Sequence, residues 1–125
     1  MKVVITGASR GIGFEMVKQF LSNGHQVMAI SRNQEKLLEL EQLGANTLAF
    51  DLTTENFSPI IDAVKSFGKI DILINNAGAL VNKPLSQMTN EDINYVYSVN
   101  VFSVIKLTRD LLVHFNNDAH IVNIS

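Results

Sequence analysis

Glycines at positions 7, 11 and 13 share one short stretch, Thr6-Gly7-Ala8-Ser9-Arg10-Gly11-Ile12-Gly13, with a serine and an arginine between them. Residue types at this spacing bind anions. Gly7 permits a tight turn, Gly11 lets the backbone come close to a pyrophosphate, and Gly13 lets a following helix pack closely on the preceding strand. Ser9, Arg10 and Ile12 complete the loop. The helix that opens here adds unpaired N–H groups and partial positive charge. In this strand-turn-helix setting the stretch reads as a cradle for the phosphates of a dinucleotide.

A second group lies at Ala29-Ile30-Ser31-Arg32. Sheets that bind NAD usually end this strand with an acidic residue that accepts hydrogen bonds from the adenosine ribose, whereas NADP requires a cation there. Here Ser31 and Arg32 stand in that place, and the Arg32 guanidinium is a planar fork suited to a 2′-phosphate. NADP is therefore expected in preference to NAD. No metal site is expected, because His25, His114 and His120 fall on separate elements and the chain has no cysteine.

These groups need strands and helices in alternation to position them. Runs at Lys2 to Thr6, Gln26 to Ile30, Thr47 to Phe50, Ile70 to Ile74 and His120 to Ile124 are rich in β-branched residues and are separated by segments of helix length. That rhythm, with strands apolar enough to be covered on both faces, predicts a parallel sheet of five strands. Gly24, Gly44 and Gly68 fall where helices should end. One long helix is expected from about Asn90 to Phe115, begun by Thr89-Asn90-Glu91-Asp92, a capping-box-like start. The fold class is α/β, a Rossmann-like doubly wound sheet ordered 3-2-1-4-5 with helices on both faces.

The 125 residues, 46% hydrophobic with net charge -2, suit one domain, residues 1–125, without disulfide staples. No apolar run exceeds four residues and the N-terminal stretch lacks signal-peptide flanks, so a cytoplasmic protein is expected. The scattered lysines form no basic stripe, and nucleic acid is not an expected partner.

The spacing Gly-x-x-x-Gly-x-Gly differs from the usual Gly-x-Gly-x-x-Gly fingerprint and resembles that of the classical short-chain dehydrogenase/reductase family. Further motifs extend the resemblance from Lys2 to Ser125: Asp51-Leu52-Thr53, Asp71-Ile72-Leu73-Ile74-Asn75-Asn76-Ala77-Gly78, Ser98-Val99-Asn100-Val101 and Ile121-Val122-Asn123-Ile124-Ser125. The resemblance implies that Arg10 is a second cation for the 2′-phosphate. It implies that Asp51 hydrogen-bonds the adenine amino group with Leu52 beside the ring, and that Asn76, Ala77 and Gly78 pass beside the adenosine ribose. Asn75 is read as mainly structural.

In the family, a tyrosine acid/base with a nearby lysine, a serine and an asparagine assist hydride transfer. Only Asn100 has a matching position here. Ser125 matches the position before the catalytic serine, and Tyr95 and Tyr97 are each followed four residues later by valine. The resemblance thus implies the NAD(P)-binding half of an NADP-dependent oxidoreductase, cut before the Tyr-x-x-x-Lys segment and unable to turn over alone. A non-catalytic dinucleotide-binding or self-associating half-protein, or a folding fragment without function, stays open as an alternative. Association is expected through helix 90–115. A helical wheel places Ile93, Tyr97, Val101, Val104, Ile105, Leu111, Leu112 and Phe115 against the sheet. It leaves Tyr95, Val99, Phe102 and Val113 facing outward, with Val99 and Phe102 at a contact between copies.

Overall fold

A computed structural model describes residues 1–125. Strands β1 (Lys2–Thr6), β2 (Gln26–Ser31), β3 (Asn46–Ala49), β4 (Ile70–Asn75) and β5 (Phe115–Asn123) form one sheet in the order β3-β2-β1-β4-β5. All four pairings are parallel. The connections are α1 (Gly11–Ser22), α2 (Gln34–Gln42), α3 (Ser58–Phe67) and a segment holding α4 (Asn90–Tyr97) and α5 (Ser103–Leu111).

Alternation along the strands sorts the core into two layers. Val3 and Ile5 of β1 face one way with Val27 and Ala29 of β2, onto Val17 of α1 and Leu37 and Leu40 of α2. Val4, Met28 and Ile30 face the other way, onto Ile60 and Val64 of α3 and Leu107 and Leu111 of α5. Strand residues with a side-chain period of two therefore feed helices on both faces, which is why these strands are apolar throughout. The chain winds outward from β1 to β3 and then restarts on the other side of β1 at β4. The carboxyl ends of β1 and β4 consequently flank the crevice where open α/β sheets bind ligands. No helix is long and apolar enough to cross a membrane.

The continuous helix expected over 90–115 is corrected. Its start is as read, with the Thr89 hydroxyl accepting from the Asp92 amide and the Asp92 carboxylate accepting from the Thr89 amide. At Ser98–Phe102 the backbone opens into a π-helical turn, α5 ends at Leu111, a short 3₁₀ turn covers Leu112–His114, and β5 already begins at Phe115. The extra residue in the wide turn changes the helix phase. Val99, Ser103, Leu107 and Leu111 face inward, while Ile93, Tyr97, Val101, Ile105 and Leu112 of the expected core stripe are exposed. Val99 is buried within its own chain and is not available as a contact between copies.

β5 is longer than its expected His120–Ile124. It pairs Phe115 with Ile70, slips register, and resumes with His120 opposite Ile72. Asp118, with φ 62°, lies within the slip. Asn116 anchors this irregular stretch by donating to Asp71 Oδ1 at 3.0 Å, and Lys69 Nζ donates to the Val113 carbonyl at 2.7 Å.

Candidate cofactor site

Between β1 and α1 the chain turns at Gly7, φ 64°, and again at Gly11, φ 57°. A side chain on Gly7 would come within 2.7 Å of Ala77 Cα, and one on Gly13 would strike the Gly7 carbonyl and the Asn76 amide. Gly7 and Gly13 are therefore fixed by the approach of the β4 end to the loop, whereas Gly11 has open space in front of it. No side chain caps α1, no acidic residue sits in its first turn, and the amides of its first residues have no acceptor in the chain. An anion there meets several free donors and the positive end of the helix dipole.

The opposite wall is built from β4. The Thr6 hydroxyl accepts from the amides of Asn76, at 3.1 Å, and Ala77, at 3.0 Å, while the Asn76 side chain donates to the Gly7 carbonyl at 3.1 Å. Thr6 is fully covered and thereby ties the end of β1 to the loop after β4. Deeper in the sheet the buried Asn75 donates to the Thr108 hydroxyl and to Asn123 Oδ1, so its amide is spent on joining β4, α5 and β5.

Together these elements enclose a crevice of about 830 Å³. Gly7, Ser9, Arg10, Gly11, Ile12, Ser31, Arg32, Asp51, Leu52, Asn76, Ala77 and Gly78 all line it. Gly13 does not, being packed behind the loop. Arg10 and Arg32 are both exposed, and neither forms a salt bridge. The amide of Asn33 donates to the Ser31 hydroxyl at 3.3 Å, which shapes the turn carrying Arg32. Asp51 Oδ1 accepts from both the amide and the hydroxyl of Thr53, at 2.9 and 2.8 Å. The Thr53 amide above all holds this carboxyl below its usual range; burial opposes it as the next largest effect, and the Thr53 hydroxyl and nearby Arg32 add smaller lowering contributions. Its second oxygen has no partner in the chain.

Asn100 does not itself line the crevice, though its Oδ1 lies beside the lining residue Gly78, and it is exposed rather than buried. Within the π-helical turn its side chain clamps one residue of the loop after β4. Oδ1 accepts from the Ala79 amide at 2.8 Å and Nδ2 donates to the Ala79 carbonyl at 2.7 Å. Ile30, Asn33, Phe50, Tyr95 and Val99 also line the crevice and were not read as site residues. Phe50 and Asn33 adjoin motif positions and could have been taken with them. Tyr95 and Val99 could not, because the regular wheel turned them outward.

A family model described as short chain dehydrogenase matches residues 1–125. The chain belongs to the short-chain dehydrogenase family. It is 36% identical over 132 residues to the NADP-dependent 3-hydroxy acid dehydrogenase YdfG of Escherichia coli strain K12, covering 99% of this chain and 53% of that protein. It is 38% identical over 113 residues to gluconate 5-dehydrogenase of Gluconobacter oxydans, covering 82% of this chain and 43% of that protein. Among solved structures, serine dehydrogenase from Escherichia coli superposes with TM-score 0.87 at 32% identity over 100% of this chain and 62% of its own. The closed form of serine dehydrogenase complexed with NADP+ gives 0.88 at 34% identity, over 100% of this chain and 54% of that one. The chain spans about half the length of the curated relatives it matches. Short-chain dehydrogenases share the sheet order and the helix layers found here.

Proposed function

We propose that residues 1–125 are the cofactor-binding half of an NADP-dependent oxidoreductase that interconverts a small-molecule carbonyl and a secondary alcohol. The observation that carries this reading is the pair of guanidiniums, Arg10 and Arg32, lining one crevice with neither held in a salt bridge and Asp51 acting on Arg32 only through space. A 2′-phosphate is the group on an adenine dinucleotide that matches a cation just after β2, Arg32, and a second on the glycine loop of the same crevice, Arg10. The names of the relatives, an NADP-dependent 3-hydroxy acid dehydrogenase and a serine dehydrogenase complexed with NADP+, support the same choice.

The residues present fit such a cofactor. The free amides at the start of α1, with Ser9 and Gly11, take the pyrophosphate. Arg10, Ser31 and Arg32 take the 2′-phosphate. Asp51 and Leu52 take the adenine, and Asn76, Ala77 and Gly78 run beside the ribose. The bound nicotinamide supplies or accepts the hydride. Asn100 contributes by holding Ala79, and so fixing the course of the loop on the nicotinamide side of the sheet. Residues 1–125 contain no Tyr-x-x-x-Lys pair, so this stretch alone binds cofactor without reducing a carbonyl. The exposed face of α4 and α5 supports pairing with a second copy, and a cytoplasmic place of action goes with this reading.

Calorimetry tests the assignment. NADPH is expected to bind at least about tenfold more tightly than NADH, the worth of one charge-assisted hydrogen bond. Arg32→Asp is expected to reverse that order. Equal affinities, or tighter NADH, overturn it.

A further inference from the structure

We propose that Tyr95 forms the outer wall of the adenine subsite and contacts the base directly, an inference that rests on the dinucleotide reading above. The crevice has two kinds of lining: the glycine loop with Ser31, Arg32 and Asn33, and the larger apolar side chains of Phe50, Leu52, Tyr95 and Val99. Flat apolar faces with one polar edge describe a purine, and Asp51, which lines the same crevice and keeps one carboxylate oxygen without a partner in the chain, is the group to meet that edge.

Two aromatic rings line the crevice. Phe50 is already committed, packing edge-on against Phe57 with centroids 5.7 Å apart. Tyr95 has no aromatic partner, its hydroxyl forms no hydrogen bond in the chain, and its side chain is only half-buried. It stands one turn before Val99, and both line the crevice. The Thr89 capping box fixes the start of the same helix, so the ring is presented from a rigid element. An aromatic ring lining an apolar slot with no aromatic partner in the chain is what a base-stacking platform requires.

The chain has two tyrosines and no tryptophan, which makes the test direct. Tyr97 does not line the crevice and rests against Phe102, so Tyr97→Phe leaves Tyr95 as the only tyrosine emitter. In that variant of the 125-residue chain, adenosine 2′,5′-bisphosphate is expected to quench tyrosine emission saturably, while nicotinamide mononucleotide leaves it unchanged. By calorimetry, Tyr95→Ala is expected to weaken the bisphosphate and NADPH each by about tenfold, whereas Tyr95→Phe stays within about twofold. The preference for NADPH over NADH is expected to survive in both, since Arg10 and Arg32 are untouched. Unaltered emission at calorimetric saturation, or full affinity in Tyr95→Ala, overturns the role of Tyr95 and leaves the cofactor assignment standing. A parent chain that binds neither NADPH nor the bisphosphate overturns the cofactor assignment, and this role with it.

Discussion

Gly13 lies behind the phosphate loop, yet it sets how closely α1 approaches β4. Gly13→Ala is expected to force the Gly7 carbonyl and Asn76 apart at a cost of about 1–3 kcal/mol, read as a lower urea midpoint. Ile12→Ala, on an exposed side chain of the same turn, should leave that midpoint unchanged. Acid sensitivity also belongs to single residues. Asp71 accepts from the Lys2 amide at 2.8 Å and from Asn116, and these bonds, the first above all, hold its carboxyl below the ordinary 3.8. A depressed carboxyl stabilises the fold above its unfolded pKa, and that contribution is lost as pH falls through the folded value. Asp71→Asn should therefore be less stable than the parent near neutrality, and the two urea midpoints should converge as pH drops below about 4. At this scale the glycine loop and Arg32 were legible as crevice lining because each depends on local chain geometry or charge, and Asp51 only through the family resemblance. Thr6 was not, because its role lies in amides some seventy residues away.

The helical segment between β4 and β5 shows where pattern reading gives out. Its capping box was visible in Thr89 and Asp92, and its inward residues 99, 103, 107 and 111 recur every fourth position. A straight α-helix rotates such a series steadily off one face, since 3.6 residues complete a turn. The π-helical turn absorbs the excess over the first step, from 99 to 103, and no residue type in Ser98–Phe102 announces it. The same phase error exchanged core and surface along α5. Leu107, 1% exposed, should cost about 2–5 kcal/mol as Leu107→Ala. Ile105, 60% exposed, should cost well under 1 kcal/mol as Ile105→Ala in the same chemical unfolding experiment. The wheel predicted inward positions for Ile105 and Leu111 alike, and only Leu111 is buried. The strands fared better, because a period of two leaves no room for phase drift over five or six residues.

Across the whole molecule, one face remains without a partner. Tyr97, Val101, Phe102, Ile105, Leu112 and Val113 are all exposed on the segment from α4 to the turn after α5. Ile121 and Val122 add apolar surface along the edge strand β5. Clustered exposure of this kind favours association. Light scattering across a concentration series should show a dimer or larger species at high micromolar protein, and Phe102→Lys should shift it toward monomer. A strictly monomeric mass, unchanged by that substitution, rules the face out. The sheet order and its cover of helices on both faces were readable in advance, but the occupant of this face was not, because a sequence pattern records that a surface is apolar and not what covers it.

At the carboxyl end of the seam between β1 and β4, beyond the paired residues of the two strands, one hydroxyl oxygen holds two amides at once. Because the Thr6 hydroxyl accepts two consecutive amides, neither can exchange with solvent until the same atom lets go. Asn76 and Ala77 should thus behave as a single clock in deuterium labelling, with matched rates well below those of Gly78 and Leu80. Thr6→Val keeps the shape and removes the acceptor, so both hands of that clock should speed up together while the amides inside β2 keep time.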